Sequence, residues 1–145
     1  MKVTNLIGEK EVQVVDSVAN WKEAVQLASK PLLDEHDITQ RYVDNMIQSV
    51  EDNGPYMVIA DYFALMHARP GEGVNRLGMS LLTTKQAFDL KGKPVKIVLV
   101  LAATDSKSHL AGLQKVMSVF MDNSSYQTIL NGSKEEIVNL FEGLE

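Results

Sequence analysis

The chain has 145 residues, 45% of them apolar and 23% charged, with a formal net charge of −5 and no cysteine. That length and balance suit one globular domain with a proper hydrophobic core. The missing cysteine excludes disulfides, thiol nucleophiles and thiolate metal sites, and scattered Lys and Arg in an acidic chain exclude a general nucleic-acid binder, because no basic stripe offsets phosphate repulsion.

The first residues, Met1-Lys2-Val3-Thr4-Asn5-Leu6, lack the apolar core of a signal peptide. The longest apolar run, 97–103, is far shorter than the ~20 residues of a membrane helix, so the chain reads as cytoplasmic. No repeat, low-complexity tract or long linker divides it, and 1–145 reads as a single domain. Residues 11–15 suit a short strand. Asn20 is a helix cap with Glu23 three residues on, and Trp21, Ala24, Val25 and Ala28 share one face. Pro31 either ends this helix or kinks it, with Leu32-Leu33 adding a turn.

A second helix begins at Thr39 or Gln40. Val43, Met46, Ile47 and Val50 form its buried stripe, and Asn53-Gly54-Pro55 stops it. Strands follow at 56–60, 63–66 and 78–84. Residues 95–103 read as a central strand, apolar on both faces except at Lys96. Ser106 is the expected cap of the next helix, whose stripe is Leu113, Val116, Met117 and Phe120. Residues 126–130 form a short helix ending at Asn131-Gly132. Ser133 and Glu136 make a capping box for a last helix with Ile137, Leu140, Phe141 and Leu144 on its stripe. Helices, then strands, then helices indicate an α/β or α+β sandwich, with helices flanking a mixed β-sheet.

Two histidines stand where buried strands give way to loops. His67 follows the apolar run 57–60 and the stretch 63–66, and precedes a Pro- and Gly-rich loop. His109 follows the run 95–103. Loop groups at such an edge can meet a ligand while the sheet holds them in place. Neutral imidazole is a good nucleophile near pH 7 and can take up and release a phosphoryl group, a step that needs mainly positioning and charge stabilisation. With a helix starting at Ser106, His109 would lie in its first turn, where the positive helix end favours anions. Arg69, Ser106 and Ser108 are candidate donors to phosphoryl oxygens. Taken singly, each residue has an ordinary structural use: a strand-end His is more often a hydrogen-bonded structural residue, Ser106 only a cap, Arg69 a loop anchor, and His36 solvated. Asp61 and Asp105 could join the histidines around a metal, but no H-x-x-x-H or H-x-x-E-H spacing supports one, so no metal is expected. No nucleotide loop or nucleophile elbow occurs, and no cofactor is expected.

The stretches Gly54-Pro55-Tyr56-Met57-Val58-Ile59-Ala60, Ala64-Leu65-Met66-His67-Ala68-Arg69-Pro70 and Gly73-Val74 resemble the active-site region of the IIA components of the bacterial sugar phosphotransferase system. The resemblance is to the mannitol/fructose superfamily, closest to the ascorbate-type branch. Ala102-Ala103-Thr104-Asp105-Ser106-Lys107-Ser108-His109 resembles the family's second motif, and the likeness extends over nearly the whole chain. It implies helices flanking a mixed sheet and a phosphotransferase carrier. His67 would be phosphorylated by the phosphocarrier protein HPr, and His109 would support the phosphoryl group. A cysteine of the cognate EIIB component would be the acceptor, and a membrane IIC transporter the indirect beneficiary. It implies no metal or nucleotide.

The chain departs from the family pattern in three places. Asp61-Tyr62 stands where members often have Pro-Gly. Met66 replaces a Pro before the active histidine, and Ser108 replaces an acidic residue of the mannitol branch. Asp61-Tyr62 and Met66 motivate an alternative, a non-catalytic IIA-like regulatory or interaction domain. Phe63, Leu65 and Met66 are candidates for an apolar docking rim, although such residues are more often buried. A helix stripe could pack on the sheet or on a second subunit, so a homodimer stays open, as does the sugar beyond ascorbate or a related compound.

Overall fold

The computed structural model describes residues 7–142. Residues 1–6 and Leu144, expected on the last helical stripe, lie outside them. A 3-10 turn at Glu9–Glu11 leads into β1 (Val12–Val15), followed by α1 (Trp21–Asp34), α2 (Gln40–Asn53), β2 (Val58–Ala60) and β3 (Tyr62–Met66). Then come β4 (Gly78–Leu90), β5 (Lys93–Ala102), α3 (Leu110–Met121), α4 (Asn123–Asn131) and α5 (Lys134–Glu142).

Along β5, Ile97, Leu99 and Leu101 alternate with Val98, Val100 and Ala102, and all six are buried. A strand apolar on both faces needs a helical layer on each. Val98, Val100 and Ala102 join the cluster formed with Ala24, Val25 and Leu32 of α1 and Tyr42, Val43 and Met46 of α2. Ile97, Leu99 and Leu101 join Val116 and Phe120 of α3, Ile129 of α4 and Ile137 and Phe141 of α5. Phe63 stacks on Phe120 at 4.3 Å between ring centroids. Each fully buried side chain of this size contributes roughly 1.5–3 kcal/mol. The sheet between the layers has the order β1-β4-β5-β3-β2. β1 pairs parallel with β4, and β3 parallel with β5. The β4–β5 and β2–β3 pairs are antiparallel. This is the expected mixed sheet flanked by helices.

Pro31 neither ends nor interrupts α1, which runs to Asp34. A proline lacks the N–H that would bond to the carbonyl four residues earlier, here that of Leu27. The Gln13 side chain of β1 donates to that carbonyl at 2.7 Å, so the orphaned acceptor is paired across the layers. β4 is longer than expected because its far half is irregular. Thr83 lies opposite Ile97 and Phe88 opposite Val95, so extra residues bulge out and the ladder resumes. The hairpin to β5 turns at Lys91 and Gly92, both at positive φ (52° and 100°), as a type I′ turn requires.

Because β3 and β5 are parallel neighbours, with Met66 opposite Val100, their C-terminal ends lie at one edge of the sheet. β4 starts at the same edge, Gly78 opposite Ala102. The loops carrying both histidine motifs therefore leave the sheet side by side.

Candidate active site

His67 is the first residue after β3. Met66, before it, is fully buried, which anchors the strand end while the histidine side chain is half-exposed. His67 Nδ1 lies 3.0 Å from the carbonyl oxygen of Leu65. A carbonyl only accepts, so the ring nitrogen donates. In the neutral ring that places the proton on Nδ1 and leaves the lone pair on Nε2. Tyr56 meets the His67 ring edge to face, centroids 6.4 Å apart, and its hydroxyl lies 2.7 Å from Ser49 Oγ on α2.

The second loop differs from expectation at its helix start. α3 begins at Leu110, not near Ser106, and His109 occupies the N-cap position with no side-chain capping bond. The residue that organises the turn is Asp105, whose carboxylate accepts the Lys107 and Ser108 amides at 2.8 and 2.7 Å. The Ser108 amide, the Lys107 amide and the Ser108 hydroxyl, with a smaller contribution from nearby His109, hold the Asp105 carboxyl below the usual carboxylate range. Asp is as good an acceptor as Ser for such amides, and its charge strengthens the bonds. Ser108 is thus committed to Asp105, while Ser106 is exposed beside it. His109 is half-buried, and its Nδ1 is buried with no hydrogen-bond partner among the described residues. Buried polar atoms without partners are rare and call for a functional explanation.

Two bridges join the loops. The Gly71 amide donates to the Ala103 carbonyl at 2.9 Å. The hydroxyl of Tyr42, on α2, accepts the Ala68 amide at 3.0 Å and donates to the Leu101 carbonyl at 2.5 Å. Burial pushes the Tyr42 phenol up to about 12 against the opposing pull of the Ala68 N–H. The Thr39 amide bonds to Gly73. Gly73 has φ +79°, and a side chain there would meet the Tyr42 amide at 2.8 Å. The loop after His67 is therefore tied down at Ala68, Gly71 and Gly73.

The structure brings His67 and His109 to one edge on bonded loops. Arg69 is exposed on the first loop, with no ion pair among the described residues. His36 is exposed at the end of α1. The apolar rim is not the expected one: Phe63 and Met66 are buried and Leu65 is half-buried, because β3 is covered by helices on both faces. Tyr56 (50% exposed) and Leu110 (53%) take that place, next to His67 and His109. Asp61 lies before β3, and His67 after it. At about 3.3 Å per residue, roughly 20 Å separates them, so the extra charge sits away from the imidazole. Tyr42, which bridges the His67 loop to β5, is absent from the sequence reading, and Asp105, read there only as a possible metal ligand, holds the turn before His109. Among the described residues no group of three or more His, Asp or Glu could hold a metal ion, and no helix is long and apolar enough to cross a membrane.

The family model described as "Phosphoenolpyruvate-dependent sugar phosphotransferase system, EIIA 2" matches residues 5–143. The mannitol-specific cryptic phosphotransferase enzyme IIA component of Escherichia coli K12 is 30% identical over 138 residues, 94% of each chain. The ascorbate-specific PTS system EIIA component of the same strain is 29% identical over 148 residues, 98% of this chain and 96% of its own. The solution structure of the mannitol-specific cryptic enzyme IIA from Escherichia coli aligns with a TM-score of 0.90 at 28% identity, covering 98% of this chain and 99% of that one. The fold is also that of enzyme IIA mannitol solved in complex with phosphorylated enzyme IIB mannitol from Escherichia coli (TM-score 0.78, 16% identity, 95% and 99% covered).

Proposed function

This chain belongs to the EIIA 2 family of the phosphoenolpyruvate-dependent sugar phosphotransferase system, and within it we propose that the protein is a cytoplasmic phosphoryl carrier with His67 as its phosphorylated residue. The observation that carries the reading is the bond between His67 Nδ1 and the Leu65 carbonyl. In the neutral ring it leaves the Nε2 lone pair as the nucleophile, at a half-exposed position. The Nε2 lone pair attacks phosphorus of the donor, HPr. A nitrogen–phosphorus bond forms on His67 as the donor's phosphoryl bond breaks, and the donor keeps that electron pair. In the second step the acceptor's thiolate, a cysteine of EIIB, attacks the same phosphorus and the imidazole leaves with its lone pair. A membrane IIC component then uses the group. The enzyme IIB complex of a protein with this fold supports EIIB as the acceptor.

Such transfers gain mainly from positioning and from donors around the equatorial oxygens. Arg69 is a cation on the His67 loop without an ion pair among the described residues, and Ser106 an exposed hydroxyl on the facing one. Ser108, bonded to Asp105, acts by holding the turn that carries His109. His109, with ring capacity unspent inside the protein, supports the phosphoryl oxygens. The mannitol-type and ascorbate-type relatives match at the same level of identity; uptake of ascorbate or a related compound is our reading, and it follows from the partner EIIB.

The non-catalytic alternative draws on Asp61, Tyr62 and Met66. Asp61 and Tyr62 stand at the far end of β3, and Met66 is an anchor in the core, which favours the carrier. Incubation with enzyme I, HPr and phosphoenolpyruvate tests it. Acid-labile, alkali-stable phosphate is expected on the wild type and not on His67→Ala; equal labelling of both would end the proposal.

A further inference from the structure

We propose that Tyr42 is a positioning residue for phosphoryl transfer: its buried hydroxyl, bonded at once to the Ala68 amide and the Leu101 carbonyl, fixes the loop of His67 against the strand that leads to His109. The inference rests on the carrier reading of His67.

Ala68 is the first residue after the nucleophile, and Leu101 is the penultimate residue of β5. A single phenol oxygen thus joins the first motif to the end of β5, just ahead of the second, from a helix belonging to neither, with sequence separations of 26 and 59 residues. It uses its donor on the strand and an acceptor lone pair on the His67 loop, a pairing that phenylalanine cannot make. The same residue meets the loop again at its backbone, where Gly73 passes close over the Tyr42 amide. The side chain is 1% exposed, so no partner protein touches it. Any effect of the hydroxyl on transfer must act through the loops. Small displacements of a reacting group far from any substrate contact cost large factors in rate, because effective molarity depends on alignment.

The consequence is a kinetic split. Tyr42→Phe keeps the ring and its packing and removes only the oxygen. At saturating phospho-HPr the rate of His67 phosphorylation should fall about tenfold, while the KM for phospho-HPr stays within about twofold because the docking surface is untouched. The control is Val116→Ala, a core truncation on the opposite face of the sheet, compared under conditions where both variants are folded. It should leave the rate at the wild-type value. A measurement on the wild type needs no variant: the Ala68 amide should exchange with solvent as slowly as amides within β3, since the Tyr42 hydroxyl holds it.

A wild-type rate in folded Tyr42→Phe would overturn the proposal and leave the carrier reading standing. So would equal slowing by Val116→Ala, or rapid Ala68 exchange in the wild type. Labelling of His67→Ala at the wild-type level would remove the carrier reading and this inference with it.

Discussion

The carbonyl of Leu65 holds the proton-bearing Nδ1 of His67 at 3.0 Å. Leu65 is the penultimate residue of β3, so the sheet itself sets the tautomer of the imidazole that follows it. Histidine-selective ¹⁵N spectra of the unphosphorylated protein at pH 8 should show the Nδ1–H tautomer for His67 as the dominant form. A dominant Nε2–H tautomer would contradict the proposed nucleophile.

Asp105 organises the turn ahead of His109 through two amides. Asp105→Ala should leave acceptance of phosphate by His67 largely intact and slow onward transfer to EIIB several-fold, as His109 loses its fixed approach. Asp105→Asn, which retains an acceptor oxygen, should recover most of the rate. The depressed carboxyl means the folded state holds fewer protons than the unfolded one as pH falls. Its contribution is present above the ordinary aspartate value and is lost as pH drops through the lowered folded one. Rates of onward transfer for the three proteins decide the matter; an Asn variant as slow as the Ala variant would refute the turn-holding role.

Burial of Tyr42 gives a signature at high pH. Its phenol is raised from 10.0 to about 12, so between those values the folded protein keeps a proton that the unfolded chain has lost. Stability contributed by the neutral phenol is whole below pH 10 and declines as pH rises through 12. The stability gap between wild type and Tyr42→Phe should narrow by roughly 2–3 kcal/mol over that window. Tyr126 is raised too, by burial and by Asp61, but that contribution is common to both proteins and cancels. Urea unfolding at a series of pH values reads the gap; a constant one would mean the phenol is not desolvated.

Gln13 supplies the hydrogen bond that Pro31, lacking an N–H, cannot give the Leu27 carbonyl of α1. Gln13→Ala should destabilise the protein by about 1–2 kcal/mol, since the Leu27 carbonyl loses its partner. In a Pro31→Ala background the helix supplies its own N–H, and the cost of Gln13→Ala should shrink to a few tenths of a kcal/mol. A double-mutant cycle by chemical denaturation measures the coupling; equal costs in both backgrounds would show that the side chain does not serve this carbonyl.

Tyr62 has φ +65°, a region that penalises side chains by roughly 1–2 kcal/mol and leaves glycine free. Tyr62→Gly should therefore be more stable than Tyr62→Ala by about 1 kcal/mol, although both lose the ring beneath Lys96. Thermal or urea unfolding of the pair checks the order.

Local signals carried much of this fold into the sequence. The Ser133–Glu136 box forms as written, with bonds in both directions, and Asn20 caps α1 through the Glu23 amide. The stripe of Val43, Met46 and Val50 is buried, because one face of a 3.6-residue period has to meet the sheet. What stayed hidden depends on partners distant in the chain. Pro31 sits inside a helix because Gln13 reaches it from another layer. The outer half of β4 looks polar at residues 85–87, where the bulge faces water. Asp105 and Ser106 are neighbours with equal capping chemistry, and the turn geometry chose the former. Both histidines were legible as strand-end residues, but Tyr42, one residue before the Val43 stripe, carried no signal of its own. Nothing local distinguishes a phenol that fills a core from one that bridges two loops.

The most direct test of the carrier is the position of the phosphoryl group. The protein, labelled with ¹⁵N in its histidines, is charged through enzyme I, HPr and phosphoenolpyruvate and observed by ³¹P and ¹⁵N NMR. A phosphorus–nitrogen coupling to Nε2 of His67, absent in His67→Ala, is the expected result. Phosphate on Nδ1 of His67, on His109, or on no histidine would contradict it.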